Sequence, residues 1–178
     1  MALFRRRKLP ASARPPLGAD ERIVAWAGVP ADLALVVTNL GVWLPGAGVR
    51  LGWHEIHKAT WSGRQLTLIA ARELPVEGSA GYVVMEDLPP LTVTLLDPDR
   101  VPDQVRTRVN KSIGHTSYHP LTAGFGVRVV ARRVSGIDGL RWTVRYDEGV
   151  DPADPGVAGQ TAALVSAIQE SLGSPAAV

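Results

Sequence analysis

No cysteine occurs among the 178 residues. A disulfide framework, thiolate chemistry and a zinc–thiolate centre are therefore excluded. The absence fits a reducing cytoplasm. No apolar run approaches the ~20 residues that a membrane-spanning helix needs. Glycine-rich stretches fall at turns, and neither a G-x-G-x-x-G fingerprint after a strand nor a phosphate-binding Walker sequence is found. The G-x-S-x-G elbow of a serine hydrolase is missing too. Residues 1–16 carry no acid, while Arg5, Arg6, Arg7, Lys8 and Arg14 all fall there. That leaves 14 basic against 17 acidic side chains in the rest of the chain, a net charge of −3 beneath the overall +2. The basic character thus belongs to the N-terminal arm, and a folded surface built to hold nucleic acid is not indicated.

What is present is a series of short strands closed by turns. Leu33, Leu35 and Val37 alternate with Ala34, Val36 and Thr38, the period-two pattern of a strand. Thr38-Asn39-Leu40-Gly41 reads as a hairpin turn with Asn39 and Gly41 tolerating positive φ. Val42-Trp43-Leu44 follows, then the reversal Pro45-Gly46-Ala47-Gly48, then Val49, Leu51 and Trp53 alternating with Arg50 and Gly52. Further strands are expected from Ile56 to Trp61 and from Gln65 to Ala70. Earlier, residues 20–28 read as a strand that is apolar on both faces, so an element should cover each. Trp43, Trp53 and Trp61 read as core and edge packing.

The run Val36, Val37, Thr38, Asn39, then Leu51, Gly52, Trp53 and Ile56, resembles the turn and strand pattern of the bacterial pleckstrin-homology-like domains and the related GRAM domains. Gly52 stands where proline is common, and residues 72–90 look like an insertion. The resemblance implies a bent antiparallel barrel capped by a C-terminal helix, with a binding or scaffolding role.

The expected fold class is α+β, mainly β: a bent antiparallel barrel or two packed sheets, with an inserted helix near 100–113 and a C-terminal capping helix near 155–172. The first helix shows Val101, Val105, Val109 and Ile113 every four residues, Asp99 as N-cap, Pro102 in the first turn and Gly114 as its stop. Its cations Arg106, Arg108 and Lys111 are accounted for by the helix dipole and by solvent. The second has Asp154-Pro155 at its start and Thr161, Leu164, Val165, Ile168 and Leu172 as its apolar face. Between them, residues 115–120 read as a polar loop. Phe125 to Val134 and Leu140 to Tyr146 form an amphipathic hairpin. In domain terms, 1–18 is a basic, proline-rich, disordered or loosely docked arm, 19–173 a single barrel domain, and 174–178 a frayed end.

Three candidate chemistries emerge. Arg128, Arg132, Arg141 and Arg145 fall on one face of the hairpin as a basic ladder, which with Arg5, Arg6, Arg7 and Lys8 of the arm forms the candidate set for an anionic partner. The competing structural reading is a solvated outer face paired with Asp138, Asp147 or Glu148. His54 and His57 lie three apart at a strand junction, which separates them if the backbone is extended, and they do not make H-E-x-x-H. His115 and His119 flank Ser117 and Tyr118, a loop on this reading, although a histidine near a serine in sequence is no dyad in itself.

The expected function is a non-enzymatic binding or scaffolding module acting through protein–protein contacts. The alternative is a peripheral binder of anionic lipid through the basic arm, where Leu3 and Phe4 meet the bilayer, and the arginine hairpin. A second alternative is an enzyme using His54 and His57 or His115 and His119. Another protein is the expected partner, with no cofactor, metal, nucleic acid or small-molecule substrate indicated. Cytoplasmic residence is expected, with a peripheral position at the inner membrane face as its variant. RRRK followed by LPASARPPLG lacks the apolar core of an export signal, and Met-Ala lacks the glycine of a myristoylation site.

Overall fold

The computed structural model describes residues 8–77, 79, 81–122 and 124–173. The fold is mainly β, with two sheets and two helices. The first sheet is an antiparallel meander of β1 (Ile23–Val29), β2 (Leu33–Thr38), β3 (Gly41–Trp43) and β4 (Arg50–Gly52). A 3-10 turn over Trp53–Glu55 leads to β5 (Ile56–Ser62) and β6 (Gln65–Leu74). These begin a second, curled sheet with β7 (Val83–Asp87), β8 (Leu91–Thr94), β9 (Ile113–Pro120), β10 (Gly126–Arg132) and β11 (Arg141–Tyr146). Its order is β5-β6-β7-β11-β10-β9, with β8 also on β6. The helices are α1 (Val101–Ser112) and α2 (Pro155–Ser171).

β6 belongs to both halves of the molecule. Residues 65–68 pair with β8 while 71–74 pair with β7, so the strand passes from one hydrophobic core to the other. The first core holds Ala25, Ala27, Leu35, Val37, Ile56, Leu66, Leu68 and Leu95, closed by Val101, Val105 and Val109 of α1. Each of those three valines is nearly or fully buried, which stabilises the helix by roughly 1.5 kcal/mol or more per side chain. The second core holds Val84, Val127, Val129, Ala131, Trp142 and Val144 beneath Val165 of α2.

The helix near 100–113 closes the first core, while the one near 155–172, which the resemblance made the cap of the barrel, covers the second sheet. Asp154 caps α2 as expected, accepting from the backbone N–H of Gly156 and Val157. Leu172, however, lies outside the helix and half exposed. Asp99 does not cap α1. It takes a left-handed φ of 42°, the N-cap is Arg100, and no side chain caps the helix.

Other local expectations also change. The turn after β2 needs no positive φ. Asn39 instead reaches back to the start of β1, its Oδ1 accepting from Arg22 N and its Nδ2 donating to the Asp20 carbonyl. Gly41 is required by close approach, because a Cβ there would lie 2.2 Å from the Leu51 carbonyl oxygen. The expected loop at 115–120 is strand β9, and α1 runs into it at Ile113 without a break. The expected helix stop, Gly114, is the extra residue of a bulge, since Ala131 pairs with His115 and Arg132 with Ile113.

From Leu9 on, the arm lies against the first sheet. Leu9, Ala13 and Leu17 pack on Ile23, Trp26, Ala34, Val36 and Trp43, the outer face of the first sheet. This covers the second apolar face of β1. Residues 1–7 and 174–178 lie outside the described residues.

Candidate functional site

The second sheet has one face on α2 and one face curled over a groove of about 430 Å³. Alternation assigns the faces. Val127, Val129 and Ala131 point to the core, so Arg128, Val130 and Arg132 point to the groove. On β11 the same rule sends Arg141, Thr143 and Arg145 that way. Register then makes the ladder: Arg128 pairs across from Arg145, and Arg132 across from Arg141. The ladder expected from sequence therefore exists. It lies on the concave side of the sheet, however, and its carboxylate partners are Asp87 and Glu73, neither of which was named from sequence.

The four arginines are held differently. Arg145 Nη1 donates to both oxygens of Asp87, over 2.8 and 2.7 Å, and Arg141 pairs with Glu73. Arg128 is exposed and lies over the Tyr118 ring, 5.6 Å from its centroid. Tyr118 is fixed in turn by donating its hydroxyl to Asp147 Oδ2 over 2.7 Å. It crosses directly above Gly126, where any Cβ would collide with the ring.

Arg132 is the exception. It is 4% exposed, its Nη1 donates to Ser112 Oγ over 2.8 Å, and its Nε has no hydrogen-bond partner. No ion pair to Arg132 is formed among the described residues. Burial, and then neighbouring Arg145, push its pKa below the ordinary guanidinium value. It remains a cation, because a guanidinium does not lose its proton in a protein. One other buried unpartnered side-chain nitrogen is Arg108 Nε on α1, but that residue is only partly buried and lies outside the groove.

Asp87 also holds His57, whose Nδ1 lies 2.8 Å from Oδ1. The carboxylate can only accept, so this bond has Nδ1–H as its donor, whereas Arg145 Nη1, 3.2 Å from the same nitrogen, would need it as an acceptor; the shorter contact is the one to Asp87. Burial lowers the His57 pKa, Asp87 opposes this, and Arg145 adds to the lowering. The net effect keeps the imidazole neutral near pH 7. Burial alone would raise Asp87, but Arg145 and His57 outweigh it and hold the carboxyl below its usual range. The groove thus presents Lys58, Arg128, Arg132 and Arg145 against one carboxylate. Sequence reasoning missed His57 and Asp87 as neighbours of the arginines. The signal for both is long-range pairing of β6 with β7 and of β7 with β11.

The remaining candidates separate from this site. His54 lines a different recess with Arg50, Glu55 and Gly136, so His54 and His57 do not converge. Lys8 is exposed on the arm, away from the groove, and Arg5, Arg6 and Arg7 lie outside the described residues. His115 and His119 do converge. Period two on β9 places them with Ser117 on the α2 side of the sheet, each Nε2 on the Ser117 hydroxyl, at 3.0 and 2.8 Å. The Ser117 hydroxyl can accept from both imidazoles, or accept from one and donate its single proton to the other. Among the described residues, no group of three or more His, Cys, Asp or Glu could hold a metal ion. No helix among them is long and apolar enough to cross a membrane. Among known proteins, no family model, no curated sequence and no solved structure matches this chain.

Proposed function

We propose that the chain is a non-enzymatic, cytoplasmic binding module, resembling the pleckstrin-homology-like domains, that receives an anionic group of a partner protein in the arginine groove. The single observation carrying this reading is Arg132, a buried cation beside the groove with an unpaired Nε–H and, among the described residues, no carboxylate. Burying a charge without an opposite charge is costly, and a ligand that completes the pair recovers that cost on binding. Support for the barrel resemblance is the order of elements: a four-stranded meander, then β5, β6 and β8, then α1 closing the common core. The net negative charge of the chain beyond the arm favours a local anionic contact over adsorption to an anionic bilayer.

The test is an NMR titration of the full chain with a hexaglutamate peptide, observing arginine Nε–Hε signals. Arg132 and Arg128 should shift while Arg72 and Arg106 do not. Shifts confined to the α1 arginines, or turnover of a hydrolase substrate abolished by His54→Ala or His119→Ala, would sink the proposal.

A further inference from the structure

We infer that the anionic group is a phosphoryl group carried on an extended segment of a partner protein, and that this segment adds to the free edge of β9. The inference rests on the anion-receiving reading above and specifies its ligand.

Charge points to phosphate over carboxylate. Asp87 already occupies Arg145 with both of its oxygens, and neutral His57 adds no cation. Among the described residues Arg132 and Arg128 are then left without a carboxylate, on one face of β10 and four residues apart. Donors arriving from two positions along a strand are matched by an acceptor with oxygens in several directions. A carboxylate brings one charge and two oxygens in a plane. A phosphoryl monoester brings a charge of about −1.5 to −2 and three oxygens arranged tetrahedrally.

The sheet edge points to a peptide. β9 ends the sheet, and among the described residues no strand pairs with its outer side. Nor does any backbone hydrogen bond reach residues 114–119 except through the β10 ladder. The stretch 114–119 contains no Lys, Arg, Asp or Glu, the usual guards of an open edge. An extended segment laid there continues the ladder through its own main chain. Thr116 of β9 lines the groove, so an added residue facing the same way would enter the groove's mouth. That residue would sit two strand spacings, on the order of 10 Å, from the β10 backbone. A phosphoserine and an extended arginine reach across such a gap from opposite sides. Against a lipid source, Asp87 lines the groove and Glu73 lies on the same face of the sheet, and both would face an anionic surface.

The experiment uses the full chain and five probes. Three are ten-residue peptides of alternating Thr and Val whose central residue is phosphoserine, glutamate or serine. The others are inorganic phosphate and phosphatidylcholine vesicles containing phosphatidylserine. The readouts are affinity, Arg132 Nε–Hε shifts and hydrogen-exchange protection of the 114–119 amides. The phosphopeptide should bind at least about ten-fold more tightly than the other four probes, shift Arg132 and protect β9. Arg128→Met, an exposed position that does not threaten folding, and Arg132→Met should each weaken it by about ten-fold or more, while Arg106→Met on α1 should not. Equal binding of the glutamate and phosphoserine peptides would overturn the phosphoryl assignment and leave the anion site standing. Binding of phosphate or vesicles as tight as that of the phosphopeptide, with β9 amides unprotected, would overturn the peptide. No response of Arg132 to any probe would overturn both this inference and the reading beneath it.

Discussion

The Arg132 guanidinium donates to the Ser112 hydroxyl over 2.8 Å, joining the end of β10 to the last residue of α1. Ser112 Oγ in turn donates to the Val109 carbonyl over 2.7 Å. Removing the charge while keeping the bulk should therefore stabilise the fold. Arg132→Met is expected to raise unfolding free energy by ~1 kcal/mol or more in denaturant melts, since a buried uncompensated cation is replaced by a side chain that needs no partner. A loss of several kcal/mol would show that the Ser112 bond outweighs the desolvation and that the residue is structural.

Glu21 should behave in the opposite way. Its side chain is fully buried and accepts from Thr38 Oγ1 (2.6 Å), Trp43 Nε1 (2.9 Å), Arg50 Nη1 (2.7 Å) and Gly18 N (3.2 Å). Burial alone would raise its pKa, but the Thr38, Trp43 and Gly18 hydrogen bonds and the Arg50 charge together hold it below the ordinary 4.5. Its stabilisation is present above 4.5 and is lost as pH falls through the lowered native value. Glu21→Gln should cost ~2–3 kcal/mol at pH 7 and remove this acid transition from a pH series of thermal melts.

Histidine protonation should give a second, milder transition. His54 and His57 both have native pKa values lowered from 6.5, in each case first by burial. The unfolded chain then binds more protons than the native one as pH falls below 6.5, so stability declines in that direction. His57→Gln should flatten the decline. An unchanged melting temperature of the native chain between pH 7.5 and pH 5.5 would contradict the burial of these rings.

Two glycine substitutions test the packing of the first sheet. Gly41→Ala places a methyl 2.2 Å from the Leu51 carbonyl oxygen, a backbone atom that cannot swing aside. It should destabilise by ~2 kcal/mol or more in chemical melts. Gly28→Ala meets nothing within 4 Å and should be neutral or stabilising by ~0.5 kcal/mol.

The bridging hydroxyl of Ser117 offers a further test. Ser117→Ala removes the common partner of His115 and His119. Both ring Nε2 signals should then move in 15N NMR spectra, while those of His54 and His57, which do not touch Ser117, should stay in place.

The arginine ladder was legible because both of its strands alternate cleanly and are joined by a short glycine-rich turn, so register follows from local chemistry. β9 was not legible. His115-Thr116-Ser117-Tyr118-His119 carries a polar group at every position, and only pairing with β10 makes it a strand. The groove's carboxylate was hidden for another reason. Asp87 meets Arg145 because β7 lies parallel to β11, Val83 beside Thr143 and Val84 beside Val144, a pairing across sixty residues that no local pattern announces. In the first sheet, alternation identified the strands, but the partners of Asn39 and Glu21 depend on β1 to β4 lying side by side, which composition does not reveal.

The place of β11 has a consequence for synthesis. It is the last of the described strands in chain order, yet it sits between β7 and β10 in the finished sheet. A nascent chain ending before residue 141 would hold β7 and the β9–β10 hairpin as separate fragments, each with a bare inner edge. Asp87 would have no Arg145 to meet. The groove therefore cannot exist on a nascent chain that stops short of β11, and a ligand of the groove could engage only protein translated past Tyr146.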